Sequence, residues 1–309
     1  VEGVNTVTQV TQTYGSGREG TVPASSLALN RRIYDGGLRV LLWLCAGLTC
    51  GLLLFLIGYI CYRGVPNLSW EFLTTQESLL RGTMGILPAV CNTVYVVAVT
   101  LVIALPLGVG AAVYLTEYAA NRRLVSGIEF ATETLSGIPS ILYALVGYLA
   151  FSQAMKLGYS LLAASLTLAM MNLPTIIRTT QESLKTVPQS YREGALGLGS
   201  GKWHMIRTVV LPGSIDGIVT GCILAVGRIV GESAVLLYVG GMDSSMNNFF
   251  DSLDKFAHSS GATLTVQLYV YAKERAIVEP AFAVAVVLLV LTLVINLAAK
   301  VVGKKLRQR

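Results

Sequence analysis

The residues best placed to do chemistry are Arg228 and Glu232, four apart inside an apolar stretch over 217–240 that carries no other charge. On a helix that spacing puts both on one face. A guanidinium at mid-membrane costs several kcal/mol by insertion scales, roughly 3, and such residues face a bundle interior or a water-filled cavity. Two readings fit. One is a buried ion pair that fixes helix packing. The other is a cation on an anion path, with Glu232 holding Arg228 when no anion is present and keeping the positive field modest enough for release. Arginine suits an oxyanion because its planar fork donates two parallel hydrogen bonds. Ser233 is a further candidate donor, although a serine in a span often bonds back to its own helix.

A second set of residues lies in the polar loop 178–212. Pro188 breaks what precedes it, and Ser190-Tyr191-Arg192-Glu193 has the form of a capping box, in which Ser190 accepts from the third amide and Glu193 reaches back. A helix is expected from Tyr191 to about Leu198, stopped by Gly199 and Gly201. Lys202-Trp203-His204-Met205-Ile206 opens a second amphipathic piece, expected to end at Leu211-Pro212. Gly194 inside the first helix costs roughly 1 kcal/mol of helix propensity relative to alanine, so that helix gains order from a partner.

Other patterns exclude chemistries. Gly197-Leu198-Gly199-Ser200-Gly201-Lys202 imitates a phosphate loop, but Leu196 stands where the Walker pattern needs glycine and Trp203 where it needs Ser or Thr. This chain is not expected to bind ATP. His204 and His258 fall in different loops, and no nucleophile or metal set converges, so no enzyme is expected. The five cysteines lie in or beside apolar runs without CxxC spacing and read as small buried hydrophobes.

The elements that must position these residues are membrane helices. Hydrophobic residues make up 53% of the 309 and charged residues 13%, about half the charge of a soluble domain (about 25%). Mean hydropathy is +0.64. Crossing a bilayer takes about 20 apolar residues per helix, and backbone groups in lipid satisfy one another only in helices or closed barrels. Candidate spans are 40–62, 86–115, 134–155, 157–177, 217–240 and 280–299. Pro106 should kink the second or start a new segment, and Gly137-Ile138-Pro139 should break the third. Glu129, Glu133 and Asp216 read as water-facing acids at helix starts. Six spans put both ends on one side. That side gathers fifteen Lys and Arg, the other six, so both termini are expected in the cytoplasm. The net charge of +6 is then explained by flanking loops rather than nucleic acid.

The fold class expected is thus an all-α, polytopic membrane protein of six transmembrane helices. Residues 1–37 form a polar cytoplasmic tail, with little to bury and a Val/Thr alternation near its start. Residues 38–302 form the membrane domain, and 303–309 a basic cytoplasmic tail. The loop 241–279 is net negative, and its Asn247-Asn248-Phe249-Phe250 stretch could cover the outer mouth, meet a binding protein or only line the loop.

Glu193-Gly194-Ala195, then Gly199, then Val209-Val210-Leu211-Pro212 resembles the EAA loop of bacterial ABC importer permeases: Glu-Ala-Ala, three residues, Gly, nine residues, Ile-x-Leu-Pro. The spacing agrees throughout; Gly194 and Val209 replace an alanine and an isoleucine. Leu173-Pro174-Thr175-Ile176-Ile177-Arg178, Arg228-Ile229-Val230-Gly231-Glu232-Ser233, Gly137-Ile138-Pro139-Ser140-Ile141 and the run Leu105 to Leu115 narrow the resemblance to the phosphate-permease (PstA) family, over about residues 82–240. The resemblance implies a type I ABC importer permease fold and a heteromeric importer. In it this chain pairs with a PstC-like permease, two PstB-like ATPase subunits dock inside, and a PstS-like phosphate-binding protein docks outside. ATP and Mg would belong to the ATPase, leaving no cofactor here. Tyr191, Arg192, Glu193, Gly194, Ala195, Gly199, Leu211 and Pro212 would couple to the ATPase, and Arg228, Glu232 and Ser233 would line the phosphate path. The same architecture could carry sulfate or molybdate, and an ATPase-independent transporter or channel is the reading from another class, which the EAA-like loop disfavours.

Overall fold

The structure, a computed structural model, describes residues 24–77, 83–243, 255 and 257–307. The Val/Thr alternation of the tail and the Asn247–Phe250 stretch lie outside the described residues. Every long element is helical, and the chain divides after Gly58. Before that point runs most of α1 (Ala24–Gly64), which starts well upstream of the expected span. Its apolar stretch, Tyr34–Asn67, is long enough to cross a bilayer. Cys45 and Cys50 on it are exposed, where burial had been expected; on a lipid-facing helix the surrounding solvent is itself apolar.

The second unit is organised around α6 (Leu161–Thr186). In its most apolar window 61% of residues are buried, against 22–39% for the other long spans of this unit, so α6 is the central post. After the short helix α2 (Trp70–Thr74), α3 (Leu87–Tyr118), the bent pair α4 (Arg122–Ser136) and α5 (Ser140–Ala154), and α8 (Lys202–Gly231) pack around it, and α10 (Val278–Arg307) packs on α8. Leu161, Leu168, Met171, Ile176 and Leu184 of α6 are fully buried. Backbones come close where one side lacks a Cβ: a Cβ on Gly147 would lie 2.1 Å from Thr167 Oγ1, and one on Gly221 2.3 Å from Thr179 Oγ1. Small residues give this approach in membrane bundles, where no hydrophobic force separates helix from lipid.

Among the described residues five helices are long and apolar enough to span, or six counting α4 and α5 as one broken crossing. The third span differs in construction from the single run expected at 134–155. The chain turns by 99° at the Gly137-Ile138-Pro139 break, and Tyr143 Oη donates to Leu135 O across it at 2.9 Å. Glu129 and Glu133 are therefore not at a span's start. They lie along α4, a separate helix whose N-terminus is capped by Asn121 Oδ1 accepting from the Arg123 and Leu124 amides. Pro106 does not interrupt α3, which stays α-helical from Leu87 to Val113; neighbouring helices tolerate the lost bond in a membrane bundle.

The polar loop expected over 178–212 is also mostly helix. α6 continues to Thr186 and α8 begins at Lys202, which leaves Val187–Gly201 around the short helix α7 (Gln189–Gly197). α8 does not stop at Leu211-Pro212. The turn Ile206–Val210 widens to a π turn just where the Pro212 ring crowds the preceding turn, and the helix carries on. Asp216 is consequently mid-helix. Beyond α8 a short helical turn ends at Gly240. The segment before α10, expected as a loop, is not all loop: α9 (Leu264–Tyr269) folds into the core, where Thr93 Oγ1 accepts from Leu264 N at 2.9 Å and Asn92 Nδ2 donates to Ala262 O at 2.8 Å.

Candidate functional site: a buried cation and an amphipathic foot

Arg228 sits three residues before the end of α8, half-buried. Its Nη1 makes a long hydrogen bond, 3.5 Å, to Thr175 Oγ1 of α6. Glu232 is not its partner. α8 ends at Gly231, and Glu232 has left the helix with extended backbone. Its Oε1 instead accepts from Ala234 N at 3.0 Å and Val235 N at 3.4 Å, capping the next turn. The one-face argument fails because a spacing of four residues holds a pair together only while the helix lasts. Among the described residues Arg228 makes no ion pair. Ser233 is exposed in the same irregular stretch, where its carbonyl accepts from Leu237 N. Unwound backbone at membrane depth is tolerated only where protein or water satisfies it; here Glu232 N donates to Ile229 O and Ser233 O accepts from Leu237 N.

At the end of the bundle that carries α7, α4 faces α6 with charge. Arg178 donates to Glu133 at 3.3 Å and to Glu182 at 3.1 Å, and Lys185 donates to Glu129 at 3.4 Å. These groups border a cavity of about 370 Å³ that also touches Thr175, the residue holding Arg228.

α7 starts at Gln189 with Pro188 as its N-cap and no side-chain cap. The capping box is therefore absent: Ser190 is already inside the helix, and Glu193 is exposed. Arg192 is not a surface contact at all. Its Nη2 and Nε reach Glu117 Oε1 at 3.0 and 3.2 Å, and its Nη2 and Nη1 reach Leu184 O and Val187 O at 2.8 and 2.5 Å. The two charged side chains keep only 12% and 7% of their exposure. One guanidinium thus ties α7 to the end of α3 and to two carbonyls at the C-terminus of α6, of which Leu184 O also accepts from Val187 N. Ala195 and Leu211 pack against the buried cluster of Ala112, Leu184, Met205 and Val210. Tyr191 and Gly194 face outward, as do Leu198, Trp203 and Glu193; Leu198 is 91% exposed.

The stop after α7 is a Schellman turn. Ser200 N donates to Ala195 O at 3.2 Å, and Gly199 N to Leu196 O at 2.9 Å. Gly199 holds φ +83°, which glycine adopts without a Cβ penalty. Pro212 lies exposed in the first turn after the widened segment.

Sequence reasoning missed Glu117, Thr175 and the α4–α6 ion pairs. Glu117, an acid just past an apolar run, carried a weak signal. Leu198 and Trp203, large apolar residues in a polar loop, carried a better one.

The bundle of apolar helices with an amphipathic foot is that of a multi-pass membrane permease, and the family match makes it a transport subunit of the ABC-importer class, rather than an enzyme, that couples to an ATPase. Residues 104–308 match the model of the binding-protein-dependent transport system inner membrane component family, and the chain belongs to that family. It is 35% identical over 286 residues to a probable ABC transporter permease protein, YqgI, of Bacillus subtilis, covering 89% of this chain and 97% of that one. It is 36% identical over 229 residues to the phosphate transport system permease protein PstA 2 of Mycobacterium bovis, covering 72% and 73%. Among solved structures, a bacterial alginate ABC transporter in complex with an alginate pentasaccharide-bound periplasmic protein superposes with TM-score 0.60 at 14% identity, over 92% of this chain and 97% of that one. That likeness establishes the type I importer permease fold.

Proposed function

We propose that this chain is the PstA-type permease of a bacterial ATP-driven inorganic phosphate importer. It lies in the cytoplasmic membrane with both termini inside, the polar tail 1–37 and the basic tail 303–309 included. A PstC-like permease supplies the other half of the path. Two PstB-like ATPase subunits carry ATP and Mg and take the exposed face of α7, and a PstS-like protein delivers phosphate from outside.

The observation that carries the reading is Arg228. It is a permanent cation at the end of α8, it reaches Thr175 through one long bond, and the carboxylate four residues on is occupied elsewhere. A guanidinium left without a fixed counter-charge in an apolar bundle is primed for a transient anion, and its fork matches a tetrahedral oxyanion. Relatives named as phosphate permeases support phosphate as that anion.

The test is Arg228→Gln in the assembled transporter. Uptake of labelled phosphate is expected to vanish while the complex still assembles in the membrane. Uptake at the wild-type rate would refute the role. Competition assigns the anion: sulfate or molybdate displacing phosphate at equal concentration would move the reading to another oxyanion. Uptake by the chain alone, without nucleotide, would remove the ATPase from the account.

A further inference from the structure

The cavity between α4 and α6 has an unusual lining. An amphipathic helix ordinarily turns its polar stripe to water. α4 turns Glu129, Thr132, Glu133 and Ser136 toward α6, around this cavity, while Phe130, 73% exposed, and Leu135 face away. The space between the helices is therefore the aqueous one. It begins at Thr175, which accepts the bond from Arg228, so it is the compartment next to that half-buried cation.

Its charges do not favour an anion. Three carboxylates stand against two cations, and each cation is already matched: Arg178 by Glu133 and Glu182, Lys185 by Glu129. We propose that this cavity is the exit compartment of the path and that Glu133 and Glu182, by neutralising Arg178, keep released phosphate from being held there or re-entering toward Arg228. The counter-charge that residue spacing placed on Glu232 thus operates further along α6, on Arg178. The inference rests on the proposed phosphate path.

The test uses the co-purified transporter in vesicles that take up labelled external phosphate, with graded unlabelled inorganic phosphate and ATP on the cytoplasmic side. The quantity read is the internal phosphate concentration that halves uptake. Glu133→Gln with Glu182→Gln leaves Arg178 uncompensated, and the half-inhibiting concentration is expected to fall about fivefold, the scale of one unscreened charge a few ångströms from a partly hydrated anion. Adding Arg178→Gln should return it to the wild-type value. Glu182→Gln alone breaks only a pair within α6, so it spares the α4–α6 link and should give about a twofold fall. An unchanged half-inhibiting concentration in whichever of the two variants that keep Arg178 transports would overturn the exit compartment. Absence of phosphate uptake by the wild-type assembly would instead overturn the path itself.

Discussion

Replacing Arg192 by alanine should uncouple the motor from the path. Arg192 makes four charge-assisted bonds, two to Glu117 and two to backbone carbonyls of Leu184 and Val187. Removing it strands Glu117, whose side chain is 7% exposed. Breaking a buried pair from one side costs about 3–5 kcal/mol, and the residual exposure of Arg192 places this one near the lower end. α7 has no buried residue of its own, so little else resists its detachment. A loss of about 3 kcal/mol lowers the population of the seated helix on the order of a hundredfold. ATP should still be hydrolysed at a basal rate, but phosphate moved per ATP should fall by about tenfold or more, and the binding protein should no longer accelerate hydrolysis. Arg192→Lys, which keeps the charge and loses the fork, should fall between. A purified Arg192→Ala complex with the wild-type ratio of phosphate to ATP would refute the argument.

Other substitutions separate neighbouring claims. Gly199→Val forces a β-branched residue into φ +83° and should cost about 1–2 kcal/mol locally, read as faster proteolysis between α7 and α8. Gly221→Leu drives a side chain into Thr179 and should reduce recoverable folded protein several-fold on gel filtration. Glu232→Ala removes a cap worth about 1 kcal/mol and should slow uptake without abolishing it; a rescue of Arg228→Gln by Glu232→Gln would restore the ion-pair reading that the structure sets aside. Cysteine at Gly194, on the outward face of α7, should form a cross-link to the ATPase subunit in the assembled complex, and no adduct there would sink docking at α7.

Long apolar runs made the helical class and most spans legible in the sequence, because lipid demands both length and self-satisfied backbone. The break at Gly137-Ile138-Pro139 was legible too, since the proline can neither donate nor let its predecessor stay helical. What could not be read was where helices outlast their apolar windows. α6 passes Arg178 and reaches Thr186 because polar side chains there find partners on α4 rather than ending the helix, and α8 starts at Lys202, whose ammonium lies over the Tyr118 ring. The same blindness paired Arg228 with Glu232. Residue spacing presumes an unbroken helix, and the break at Gly231 is fixed by the cap that Glu232 forms and by α9 seated in the core against α3. Arg192 and Glu117 are 75 residues apart, and no local pattern links such a pair.

The continuity of α8 has a mechanical consequence. From Lys202 to Arg228 it is one lever, roughly 39 Å long at 1.5 Å per residue, with its foot at the loop where force enters and the guanidinium near its tip. A tilt of about 5° at the foot would swing that charge through about 3 Å, enough to trade its long bond to Thr175 for a new ligand. Pro212 and the loosened turn before it sit where such a lever would bend. Small strokes of a nucleotide-driven engine could therefore be geared into binding and unbinding at depth, with no chemistry carried along the way.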